Sequence, residues 1–203
     1  MKSITSFLIV VALITMNFTT PDKTLTKAER QAATKILEET KADIIKKVTG
    51  LSAAQLNFKA TPESWSVAEC VEHIAISESN IFAFCQTSLK EPADPSKRSE
   101  VKFTDEAVVQ MITDRSSKIK ASEAFVPSGK FGTFEGSLMA FKQKRDDHIN
   151  YVKTTTDDLR NHYVDLPFGK LDAYQIILFM AAHSKRHTDQ IDEILSNANF
   201  PKK

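Results

Sequence analysis

Glycine and proline are scarce in this chain, five and seven in 203 residues, and there are only two cysteines and one tryptophan. So few turn-forming residues disfavour a loop-rich all-β protein and suit long helices joined by a handful of connections. Neither sign of charge prevails, with 27 Lys and Arg against 26 Asp and Glu, so no electrostatic footprint for nucleic acid or an anionic membrane surface is present. Nucleic acid is therefore not an expected partner. Internal repeats and low-complexity tracts are also lacking. With 41% hydrophobic and 26% charged residues, the composition is that of one globular domain with a substantial core, and the expected class is all-α.

Long apolar runs are absent but for one, residues 4–16, which follows Lys2. It is short of the roughly 20 residues that a membrane span needs. It has instead the form of a secretory signal, although no clear A-x-A cleavage site follows. Residues 1–20 are expected to be a leader removed between about Phe18 and Thr24, and residues 21–203 the folded domain, exported to the periplasm. Export would permit a disulfide, yet Cys70 and Cys85 both fall in one predicted helix. Fifteen helical residues rise about 22 Å, far beyond the roughly 7 Å Cα limit for a bridge. Both are expected to be small buried core residues rather than nucleophiles.

Thr26 and Glu29 form a capping box that opens a helix to about Val48, with Gly50 just past its end. A connector over 51–63 leads to a second box, Ser66 and Glu69, and a helix from Val67 to about Leu89. A solvated loop is predicted over 90–103. Thr104 then caps a shorter helix to about Ile119. Three phenylalanines, Phe125, Phe131 and Phe134, punctuate a loop over 121–136, which is expected to lie down on the bundle because so much apolar area is costly in water. A helix over 137–159 carries Arg145 on its apolar face, where the expectation is a guanidinium reaching the rim. His148 beside that face and His162 beyond the helix are read as ordinary surface or boundary residues. Pro167 and Gly169 lead into the last helix, residues 171–197.

That last helix carries the chemistry. Ile176, Met180, His183, His187 and Ile194 share one face, so two histidines four apart point inward and could reach one metal ion. The intervening residues are Ser184, Lys185 and Arg186, so the H-E-x-x-H motif with its own general base is absent. Hydrogen-bonded core histidines are the competing reading. His73 supplies a third imidazole, although helical periodicity puts it only at the border of its stripe.

The runs ESWSVAECVEHI (63–74) and LDAYQIILFMAAHSKRHTDQIDEI (171–194) resemble the two signature segments of the DinB-like superfamily, which contains the YfiT-type proteins. DDLRNH (157–162) is also similar, and the resemblance spans about 26–197. It implies an up-down-down-up four-helix bundle, here with an additional short helix and long loops. It further implies one metal ligand from the second helix and two from the last, which correspond to His73, His183 and His187. Three imidazoles suit Zn, Ni or Fe as the divalent metal and leave positions open for water or substrate. A small-molecule substrate and, from characterised relatives, a low-molecular-weight thiol are implied, with the reaction a transfer to the thiol or a hydrolysis by water. An exported leader sits awkwardly with a cytoplasmic thiol. Glu69, Asp172 and Gln190 are candidates to orient the histidines, although Glu69 has a competing capping role and Asp172 stands at the helix start. No catalytic residue beyond the metal ligands is singled out. The alternatives are a non-catalytic exported bundle that binds a metal or ligand, and a bundle whose histidines only pack. Pairing into a homodimer is an expectation from bundles of this kind.

Overall fold

Side-chain caps set the starts of the long helices. The computed structural model describes residues 24–117 and 119–202; the expected leader lies outside them. Thr26 and Glu29 cap each other reciprocally at the start of α1 (Lys27–Val48), and Ser66 and Glu69 do the same for α3 (Val67–Ser88). Between them Ser52 caps a single turn, α2 (Ala53–Leu56), inside the expected connector. Thr133 caps α5 (Phe134–Thr154), which starts three residues earlier than the expected 137 and ends before 159. Asp172 opens α6 (Ala173–Leu195) in a capping box with Gln175.

Side-chain pairs fix the helix directions. Tyr174 Oη donates to the Glu29 carbonyl (2.9 Å) at one end of α1, and Lys47 pairs with Asp192 at the other, so α1 and α6 run parallel. Arg30 donates to the carbonyls of Val152 and Thr155 while Lys41 pairs with Asp146, so α5 runs against α1. Glu78 meets Arg145 and Phe82 meets Tyr151, so α3 and α5 share a direction. The result is the up-down-down-up four-helix bundle, with α1 and α3 each packed between α5 and α6. Its core runs from Leu37, Ile81 and Ile177 at one end to Val71 and Ile191 at the other.

The additional short helix is α4 (Asp105–Thr113), which packs on α6 through buried Val108. It stops at Thr113 rather than near Ile119, which is 80% exposed. The Asp114 carboxylate accepts from the amide and hydroxyl of Ser116, a local turn that competes with the helix. Arg186 draws off the carbonyls of Ile112, Asp114 and Ser117 as well. A small hairpin, β1 (Tyr163–Leu166) and β2 (Gly169–Asp172), precedes α6 where only a lead-in was expected. Pro167 and Phe168 form its tip. At Gly169, with φ of 142°, a Cβ would come within 2.9 Å of the Phe103 ring, so only glycine lets the hairpin sit there.

Arg145 corrects the rim expectation: it is fully buried. All five of its N–H donors are used. Nε and Nη2 donate to the two Glu78 oxygens (2.6 and 2.7 Å), Nη2 also to Ser184 Oγ (2.7 Å), and Nη1 to the Leu37 carbonyl (3.0 Å) and Thr40 Oγ1 (2.5 Å). His148 is likewise buried rather than at the surface, with Nδ1 2.9 Å from Glu78 Oε1 and its ring stacked on Phe82. Burial alone would raise the Glu78 carboxyl, but the adjacent Arg145 and the bonds from Arg145 and His148 hold it below the ordinary value. His162 is half-buried, donating from Nδ1 to the Ser88 carbonyl (3.0 Å). Cys70 and Cys85 are buried and free, and burial pushes both thiols up to about 12.

Candidate metal centre

The antiparallel crossing of α3 and α6 brings His73, His183 and His187 together, with one ring nitrogen of each lying within 4.8 Å of the others. Nε2 of His73 is 3.0 Å from Nε2 of His187 and 3.3 Å from Nε2 of His183. Burial lowers the pKa of all three, His183 well below the ordinary value and His187 to about 3, and at the latter two the neighbouring rings add to the shift. The rings are therefore neutral at pH 7.

Their protons can be placed. His73 Nδ1 lies 2.6 Å from the Phe125 carbonyl, which can only accept, so Nδ1 carries the hydrogen and Nε2 is a bare lone pair. His187 Nδ1 lies 2.9 Å from Gln190 Oε1, with the same consequence. Two bare nitrogens thus face each other at 3.0 Å with no hydrogen between them. That contact is unfavourable for neutral rings, and a cation held between the lone pairs would relieve it. Nitrogens about 2.0–2.1 Å from a shared ion and roughly 90–110° apart stand about 2.8–3.4 Å from one another. The donor set fits a borderline divalent ion.

The walls of the centre are apolar. The indole of Trp65 covers His73 and His187, with centroids 4.7 and 5.9 Å away. Phe179 sets its edge against His183 at 6.1 Å. The segment 123–132 is tied to α3 at three points: the Phe125 carbonyl on His73, the Ala124 carbonyl on Asn80, and the Ser128 and Lys130 amides on Glu72 Oε1. His73 and His187 are buried, whereas His183 keeps partial exposure and marks the open side.

Of the residues expected to orient the histidines, only Gln190 touches one. Glu69 caps α3 through Ser66 and pairs with Lys59. Asp172 caps α6 eleven residues before His183, about 16 Å along the axis, and is bonded by Arg98 and Arg160. Trp65 and the Phe125 carbonyl are the participants that sequence reasoning missed. The first had a faint signal in its place just before a capping box. The second is backbone and had none.

A family model described as the DinB superfamily matches residues 36–191. YuaE of Bacillus subtilis (strain 168), an uncharacterized protein, is 29% identical over 164 residues, covering 78% of this chain and 94% of that one. Among solved structures the fold is similar to YfiT from Bacillus subtilis, described as a probable metal-dependent hydrolase with an unusual four-helix bundle topology, with a TM-score of 0.56 and 18% identity over 86% of this chain and 90% of that one.

Proposed function

The chain belongs to the DinB superfamily, and on that premise we propose that it is a metal-dependent hydrolase of a small molecule, with His73, His183 and His187 holding one divalent ion. The observation that carries this is the pair of bare Nε2 atoms 3.0 Å apart on two buried, neutral rings. Zn, Ni and Fe all suit three imidazoles. An ion bound there supplies Lewis acidity and lowers the pKa of a coordinated water or thiol.

The rest is done by the chain itself. The Phe125 carbonyl keeps the His73 proton on Nδ1, and Gln190 does the same for His187, so neither ring can turn its Nε2 away. Trp65 and segment 123–132 exclude water from the closed side. Among the described residues no carboxylate bonds to the three rings, and both cysteine thiols are buried and held protonated. With neither thiol available among the described residues, we take the nucleophile to come from solution. Water needs no further partner; a low-molecular-weight thiol, as in relatives of this family, is the second reading, with group transfer as the reaction. The N-terminal run is proposed to be an export leader, which favours water.

Metal content of the purified protein, and turnover of activated esters and electrophiles with and without added thiol, test this. About one ion per chain and thiol-independent hydrolysis are expected. Turnover only with thiol would replace hydrolysis by transfer, metal without turnover would leave a binding bundle, and no metal under any loading would leave packing histidines.

A further inference from the structure

The open side of the histidine cluster continues into an aromatic track. His183 is the partly exposed member of the cluster, and Phe179, one turn earlier on α6, meets it edge-on at 6.1 Å. Phe168, at the hairpin tip, meets Phe179 edge-on in turn at 6.0 Å. Phe168 is 39% exposed although it stands at a turn, where polar residues are the rule. On α3 the line that starts at His73 continues through Ser77 and Asn80 to Phe84, itself 38% exposed. Ser77 Oγ, on that line one turn from His73, is buried with no hydrogen-bond partner among the described residues. The hairpin packs on both α3 and α6, and Gly169 fixes its seat against Phe103.

Scattered exposed phenylalanines need no explanation. Phe168 is not isolated, since ring contacts through Phe179 lead from solvent to the one open histidine, and an unsatisfied hydroxyl lies one turn from His73. We propose that this track is the substrate-binding groove, and that the substrate class is a small molecule with an apolar aryl or acyl tail. The polar, metal-seeking head lies at the three histidines and the tail runs over Phe179 toward Phe168. This rests on the metal reading above and adds to it the direction and chemistry of the substrate. Edge-to-face ring contacts and the removal of apolar area from water both favour such a tail.

Hydroxamates binding to cobalt-loaded protein test the groove without turnover, followed by the visible cobalt spectrum and by calorimetry. Acetohydroxamate supplies the head alone, and benzohydroxamate the same head with a ring. The parent should bind benzohydroxamate about tenfold more tightly, a gain of the size one well-placed ring gives. Phe179→Ala should bring the two ligands within about threefold of each other, a ratio taken within the variant so that any change at the metal, common to both heads, cancels. Phe168→Ser, a surface change that leaves the core intact, should remove a smaller part of the gain. Equal binding of the two ligands to the cobalt-loaded parent overturns the groove and leaves the metal centre standing; so does a gain that survives in both variants. A parent that takes up no cobalt overturns both.

Discussion

Two buried polar clusters bridge α3 and α6, and they are built in opposite ways. Around Arg145 every donor has an acceptor, the guanidinium is matched by the Glu78 carboxylate, and the group is closed on itself. Around His73 the rings are neutral, the outer nitrogens of His73 and His187 are satisfied by Phe125 and Gln190, and the Nε2 atoms are aimed at one another. Both sets are costly to desolvate. The first recovers that cost within the chain, whereas the second leaves lone pairs at its centre that a bound cation would satisfy. Proximity of buried polar groups therefore does not by itself mark a binding centre; the direction and protonation of the atoms do.

The comparison breaks most readily at Arg145. Arg145→Met leaves Glu78 buried without its counter-charge and should cost about 3–5 kcal/mol, read by urea denaturation of metal-free protein. The double variant Glu78→Leu, Arg145→Met removes both charges and should be less damaging than either single change. A loss below about 1 kcal/mol in the single variant would show the cluster to be dispensable. His73→Ala should fall mainly on the metal: metal-free stability down by less than in Arg145→Met, since the lost Phe125 bond is partly offset by relief of the repulsive contact, and metal affinity down by at least about 100-fold. Isothermal titration with zinc would show this, and undiminished affinity would take α3 out of the centre.

Acid sharpens the contrast. Glu78 gives up its proton more readily in the folded chain than in the unfolded one, so its contribution is complete above the ordinary value of 4.5 and fades as the pH falls below it. Denaturation midpoints of the parent and Glu78→Gln, taken from pH 6 downward, should diverge in slope only in that acid range; parallel slopes would assign the acid sensitivity elsewhere. The smallest expected effect is at the edge of the centre. Gln190→Leu deprives His187 of the acceptor that orients it and should weaken metal binding about tenfold with little change in the metal-free melt. An unaltered zinc affinity would make Gln190 a bystander.

Local signals carried the sequence a long way. The boxes at Thr26 and Ser66 marked helix starts to the residue, and the spacing of His183 and His187 placed both on one face. His73 was ambiguous because α3 is buried on several sides at once, with Glu72, His73 and Glu78 all inside, so its sequence shows no clean polar face. Arg145 and His148 were misplaced for a different reason. Their partner Glu78 lies 67 and 70 residues away, and no window on the sequence joins them. The short hairpin escaped because four-residue strands are too brief to show alternation, and α4 ended early through a side-chain turn at Asp114 that competes locally with the helix.

Arg145 also bears on how the molecule opens. It springs from α5 and bonds to α1, α3 and α6, so one side chain fastens all four long helices at a single level. None of them can detach alone without leaving a donor or an acceptor of this buried group unpaired. In native-state hydrogen exchange the amides around Leu37, Glu78, Arg145 and Ser184 should then share one opening free energy, equal to that of global unfolding. The short helix α4 and the hairpin take no part in that fastening. Their amides should exchange at lower energy, as smaller foldons of their own.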